Sequence, residues 1–390
     1  MRLSMNTRYA VIHASFWGAY GSLWAFIALV LEYNGFASAQ VGVVTSCATL
    51  LSVFLSPAVS SLLDAQPGLE NRHGAMALLT LAAALSLLAL LMPLPRPFVL
   101  GVCFALIGAF LSSTPPFQNA MAMDANRCGI PVVYGFCRGV GSVSYAAAVL
   151  LLGFVLERHA PTLLLPIFAA LTACGLIAMA GFRLPERPDE AADRPAEHRS
   201  IAAVLRSHPR FALTLLGCMF FFLTHTISNT YMNALVGKAG GTASAVGTSL
   251  AISAVLELPA MTLVSRLQKR FSPGFFLRFA AGAEVVKFLI FYLARSMPLI
   301  YLGHCMQFFQ FAVYAPATVY YVAAALPERD QLKGQSLIYV AGSGLGGALG
   351  NLLGGRLLDR SGIQAALLLG TVSAAASLLT FCLSTREDSR

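Results

Sequence analysis

Residues 184–208 read LPERPDEAADRPAEHRSIAAVLRSH. The stretch is rich in Pro, Glu, Asp and Arg and cannot rest in hydrocarbon, where each ionised side chain costs at least about 2.5–3.5 kcal/mol. The chain around it is the opposite: 57% of the 390 residues are hydrophobic and 11% are charged, against about 25% charged in a soluble domain. Apolar runs of about 20 residues cross a bilayer as helices. Twelve such runs are legible, at roughly 8–33, 38–63, 74–94, 97–123, 132–156, 160–182, 209–236, 242–267, 273–294, 297–325, 332–358 and 361–383. The polar stretch divides them into six and six. The expected organisation is a bundle at 1–183, a linker at 184–208 and a second bundle at 209–390. Most other joins, such as LPRP, ERHAP and ARSMP, are short and force neighbouring helices to be antiparallel. The end of the linker, SIAAVLRSHPRF, has the pattern of a short helix lying along the membrane surface.

Lys and Arg set the orientation. With twelve spans both termini share one side. That side carries 18 basic residues, six of them arginines between 183 and 210; the other carries 6. The termini and linker are therefore expected in the cytoplasm, with the chain in the cytoplasmic membrane. The net charge of +9 is then an orientation signal, and no nucleic-acid partner is expected. The first apolar run is too long for a signal-peptide core and reads as an uncleaved span. Eight cysteines lie singly, with no CxxC and no Cys/His cluster, so neither a disulfide framework nor a metal site is indicated.

The two halves repeat. SPAVSSLL (56–63) matches LPAMTLVS (258–265), with Pro57 and Pro259 202 positions apart. STPPFQNA (113–120) matches YAPATVYY (314–321), with Pro116 and Pro316 200 apart. GFVLER (153–158) matches GRLLDR (355–360) at an offset of 202. Three matches in order, at offsets of 200 to 202, indicate a duplicated six-helix unit. Parallel repeats of this kind place a solute site between the halves near the bilayer midplane.

Ionisable groups inside spans face a partner or a cavity. Four stand out: Arg138, Glu257, Glu284 and Lys287. Tyr145 lies seven residues after Arg138, on the same helix face. An Arg fork beside an aromatic plate suits a polar ligand with a flat apolar side, such as a sugar ring; a structural arginine held by helix-end carbonyls is the alternative. Glu257 precedes Pro259, which removes a backbone donor and bends a helix. A buried acid there serves proton exchange or helix packing. Glu284 and Lys287 are one turn apart and can pair directly. Softer candidates are His304, Gln307 and Gln310 at i, i+3, i+6; His225, Asn229 and Asn233 at i, i+4, i+8; Asn119, after Pro115 and Pro116; and the stripe His13, Trp17, Tyr20, Trp24. Gly342, Gly346, Gly350 and Gly354 form a close-packing face. No Ser/His/Asp pattern, Walker sequence, HExxH or phosphate loop is present, so neither an enzyme nor a cofactor is expected.

Two six-helix halves and a cytoplasmic linker resemble the major facilitator superfamily over nearly the whole chain, and most of all its lactose permease and oligosaccharide–proton symporter branch. WGAYGSLWAF (17–26) resembles that branch's helix-one segment and matches Tyr20. YGFCRGVGSVSYA (134–146) resembles its helix-five segment, placing Arg138 on the sugar-binding arginine and Tyr145 on the stacking tryptophan. LELPAM (256–261) places Glu257 on the sugar and coupling glutamate, and AEVVKFL (283–289) places Lys287 on the helix-nine arginine. The departures are specific. Where the branch has a helix-four glutamate, PPFQNAMAMD (115–124) offers Asn119 or Ala120. Its helix-ten histidine and proton-carrying glutamate match Gln307 and Gln310, and glutamine carries no proton. LLDAQPGLENRHG (62–74) keeps Asp64 and Arg72 of the cytoplasmic gate loop. The Gly-Pro stretch of drug–proton antiporters is absent from helix five.

The resemblance implies a monomeric secondary transporter with twelve helices in two six-helix repeats, moving a small polar solute, a sugar or oligosaccharide foremost. Proton symport with alternating access is expected. Solute binding falls to Arg138, Tyr145, Glu257, Tyr20, Asn119, His225, Asn229, Gln307 and Gln310. Coupling falls to Glu257, Glu284, Lys287 and His304. Efflux of drugs or sugars, and a membrane sensor built on a transporter fold, are the alternatives.

Overall fold

The computed structural model describes residues 4–66, 68–92, 97–185 and 201–385. Most of the linker (186–200) and the basic residues Arg2, Arg96, Arg386 and Arg390 lie outside the described residues, as does the side chain of Asp64. Every regular element among the described residues is helical, and none is a strand. A helix closes its backbone hydrogen bonds within itself, which lipid demands.

Twelve long helices follow in order: α1 (Met5–Tyr33), α2 (Ser38–Asp64), α3 (Asn71–Leu91), α4 (Pro97–Arg127), α5 (Tyr134–Val155), α6 (Pro161–Ala180), α7 (Pro209–Thr230), α8 (Ala243–Leu267), α9 (Pro273–Leu293), α10 (Met297–Ala325), α11 (Lys333–Ser361) and α12 (Ile363–Ser384). Eleven are apolar enough to cross a membrane on that ground alone. The exception, α9, carries Arg278, Glu284 and Lys287. Short helices occupy Ile201–Ser207, at the end of the linker, and Met232–Lys238, after α7.

The first helix of each successive group of three is interrupted. In α1 a 3-10 turn spans Trp24–Phe26. In α4 the break is at Thr114, and the helix restarts on Pro115 and Pro116, whose missing N–H groups cost nothing in a first turn. After α7 the helical run resumes beyond Tyr231. In α10 a 3-10 turn at Met306–Phe308 precedes the new start at Phe311. By contrast α8 continues through Pro259, and α2 through Pro57. A wider, π-helical turn occupies Val340–Gly346 of α11.

The chain divides into two compact units, Met1–Glu190 with Ala243–Ala254, and Ala191–Thr242 with Val255–Arg390. In the first, α1 packs on α5 and α6, and α4 packs on α2 and α3. The start of α8 joins this unit because Gly153 and Gly247 lack side chains: a Cβ at Gly153 would meet the backbone of Ala243, Ser244 and Gly247. In the second unit, α7 packs on α11 and α12, and α9 on α10 and α12. The internal packing of α1 with α5 and α6 is thus repeated by α7 with α11 and α12.

Candidate functional site

In the first unit the candidate residues gather on α1, α4 and α5. The Arg138 guanidinium carbon lies 4.0 Å from the Trp17 ring centroid, and Nη1 donates to Ser142 Oγ at 2.9 Å. Trp17 reaches α5 because Gly141 offers no side chain there. Tyr20 continues the aromatic surface, 5.5 Å from Trp17 and 6.4 Å from Tyr145 between centroids. A delocalised cation above an indole, with two phenols alongside, forms a surface of flat faces and N–H donors. Asn119 is half-buried on the segment of α4 after the prolines.

Two residues next to this cluster deepen it. His13 is 1% exposed, and neither ring nitrogen has a hydrogen-bond partner. Its ring lies 4.7 Å from Tyr9 and 6.0 Å from Tyr134. Gln118 is fully buried with an unpartnered side-chain amide, and its backbone carbonyl accepts from Tyr9 Oη at 2.8 Å. Sequence reasoning selected Asn119 rather than its neighbour Gln118; which of the two is buried depends on how α4 restarts after its break.

In the second unit a hydrogen-bonded chain joins three helices. Lys287 Nζ on α9 donates to Gln307 Oε1 at 3.2 Å, and Gln307 Nε2 on α10 donates to Glu257 Oε1 on α8 at 2.9 Å. Gln307 sits in the 3-10 turn that interrupts α10. Glu284 does not pair with Lys287 as its spacing allows; it is fully buried and neither carboxyl oxygen has a hydrogen-bond partner. His304 Nε2 lies 3.2 Å from Met232 Sδ, with the ring 5.0 Å from Phe291. Gln310, in the gap of α10, is fully buried with both amide atoms unpartnered.

His225 stacks on Phe311 at 4.5 Å and 11°. Asn229 Nδ2 lies 3.1 Å from His225 Nε2, as the i, i+4 spacing suggests. The structure therefore brings together Glu257, Gln307 and Lys287 in one unit, and Arg138, Tyr20 and Tyr145 in the other. At the start of α3, Arg72 pairs with Glu70 (Nε–Oε2 3.0 Å) and donates to the Phe182 carbonyl at 3.3 Å. Among the described residues no three His, Cys, Asp or Glu side chains are grouped to hold a metal ion.

Residues 6–369 match the MFS_1 like family. A maltose permease of Geobacillus stearothermophilus is 26% identical over 375 residues, 95% of this chain and 92% of that protein. An uncharacterized transporter, YwbF, of Bacillus subtilis (strain 168) is 22% identical over 395 residues, 100% of this chain and 96% of that protein. Among solved structures, the nucleoside transporter NupG matches with a TM-score of 0.81 at 16% identity, over 100% of both chains. A bacterial homolog of the human lysosomal transporter Spinster, inward-facing and unoccupied, matches with a TM-score of 0.71 at 14% identity, over 98% of this chain and 97% of that one. These structural likenesses concern the fold. The chain is a multi-pass membrane transporter rather than an enzyme, and it belongs to the MFS_1 like family.

Proposed function

We propose that this chain is a proton symporter for a sugar or short oligosaccharide, working as a monomer by alternating access in the cytoplasmic membrane with both termini inside. The observation that carries the solute class is Arg138 held over Trp17 beside Tyr20 and Tyr145. Sugar rings offer one apolar face and a rim of hydroxyls. An aromatic plate takes the first, and a guanidinium fork donates to the second. The likeness to a maltose permease supports the same class.

Glu257 supplies the acceptor side of recognition, and Gln307 holds its carboxylate in place. Coupling belongs to the acids of the second unit. Lys287, His304 and Gln310 surround that role, and His225 and Asn229 extend the polar face on α7. Asp64 and Arg72 remain the cytoplasmic gate of this reading.

The test is uptake in proteoliposomes. Maltose, maltotriose, lactose and sucrose are offered under an imposed inward proton gradient, an imposed sodium gradient, and none. Accumulation of one of these sugars driven by the proton gradient alone is the expected result. Sodium-driven accumulation, or export against the proton gradient, overturns symport with protons. Transport of none of the four, with binding of one intact, favours a sensor.

A further inference from the structure

Among the described residues, the membrane-spanning interior of the second unit holds two acids and one base: Glu257 on α8, and Glu284 and Lys287 on α9. Their pairing is unequal. Lys287, 1% exposed, donates to Gln307 Oε1, and Gln307 donates its N–H to Glu257. An amide turns its oxygen to a cation and its N–H to an anion. The chain Glu257–Gln307–Lys287 is therefore the arrangement that suits one negative and one positive end, with no net charge.

Glu284 stands outside that chain. It is 0% exposed, and neither carboxyl oxygen has a hydrogen-bond partner. An ionised carboxylate in such a place has neither water nor donors to replace its hydration. The elements packed against α9 do not rescue it. From α10 the buried titratable groups are His304, Tyr314 and Tyr321; from α7 they are the buried Cys218 and the half-buried His225; α12 offers the half-buried Cys382. His304 turns Nε2 to Met232 and Tyr321 bonds to Thr214, while His225 bonds to Asn229. None donates to Glu284. The cation in electrostatic reach is Lys287, one turn away and already engaged.

We propose that Glu284 is the proton-binding group of the second unit, holding its proton while Glu257 stays ionised for the solute. Charge balance is the reason: with the one cation bridged to Glu257, the second acid is neutral. The assignment deepens the proton-symport reading and rests on it for its role in transport. The proton resides on the Glu284 carboxyl as O–H. On its release the carboxylate and Lys287 share one helix face.

Infrared spectroscopy of the purified full chain at neutral pH tests the site without any solute. The expected spectrum contains the carbonyl band of a non-ionised carboxyl group. The band is lost in Glu284→Gln and retained in Lys287→Met, which removes the cation one turn from Glu284. No band in the native chain, or a band that persists in Glu284→Gln, overturns the proposal; persistence there with loss in Glu257→Gln assigns the proton to Glu257 instead. Glu284→Gln is checked for folding by its melting curve, and Glu284→Asp, which keeps an acid, restores the band. Proteoliposomes separate the underlying reading. If the band behaves as expected but the native chain accumulates no sugar under a proton gradient, the symport reading fails and the proton site stands.

Discussion

In the proposed sugar-symport reading, Arg138 is the residue on which solute recognition turns. Its planar guanidinium does two things at once: it lies on the Trp17 face at 4.0 Å and donates at 2.9 Å to Ser142. An ammonium is compact and strongly hydrated and reproduces neither. Arg138→Lys keeps the charge and the helix while losing the stacked fork. Its sugar affinity should fall about tenfold, equivalent to about 1.4 kcal/mol, with an unchanged melting curve. Equilibrium binding of maltose measures this; unaltered affinity would reduce Arg138 to a structural role. Arg138 and Tyr145 were legible because they recur at seven residues on one helix. Trp17 as the plate under Arg138 was not, since that contact depends on α1 meeting α5 at Gly141. The same limit separates Asn119 from Gln118: one residue turns a side chain by more than a quarter of a helical turn. Glu284 was legible as an oddity of composition, but whether it paired with Lys287 depended on Gln307, twenty positions away in sequence.

At the scale of elements, the glycine face of α11 decides how closely the second unit packs. Gly342 lies against Phe222, Gly346 and Gly350 against the backbone of Met219 and Leu223, and Gly354 against Tyr231. All four contacts fall on α7 and the residue that follows it. A methyl group at Gly346 would collide with the Met219 backbone, which cannot rotate away as a side chain can. Gly346→Ala should therefore destabilise by about 1–3 kcal/mol, the usual cost of overpacking. Gly282 on α9 is the control, because nothing lies within 4 Å of an added Cβ. Gly282→Ala should be neutral or gain about 0.5–1 kcal/mol from helix propensity. Thermal melts in detergent compare the two; equal melting temperatures would remove the close-packing argument. The four-residue glycine period announced this face in the sequence. The helix interruptions were announced only at Pro115 and Pro116, because the 3-10 turns at Trp24–Phe26 and Met306–Phe308 contain no proline or glycine. The π-helical turn of α11 likewise has no cue beyond its glycines.

For the whole molecule, the number of spans and the sidedness are linked: the long helices were legible from hydropathy, while the sidedness is an expectation drawn from charge. The duplication was legible from three matched segments, and each unit repeats the other's internal packing, α1 with α5 and α6 as α7 with α11 and α12. The charge asymmetry, 18 basic residues on one side against 6 on the other, is the ground on which the linker is proposed to lie in the cytoplasm. Two positions expose an error in either inference. His159, in the join between α5 and α6, follows five spans; Ala192, in the linker, follows six. Cysteines placed singly at these positions, in a background without the eight native unpaired cysteines, should react oppositely with a membrane-impermeant maleimide. Ala192→Cys should be labelled in inside-out vesicles and protected in right-side-out ones, and His159→Cys the reverse. Labelling of both from one side would break the six-span count of the first unit. Opposite labelling with the sides exchanged would keep the count and invert the orientation, placing the polar linker outside the cell.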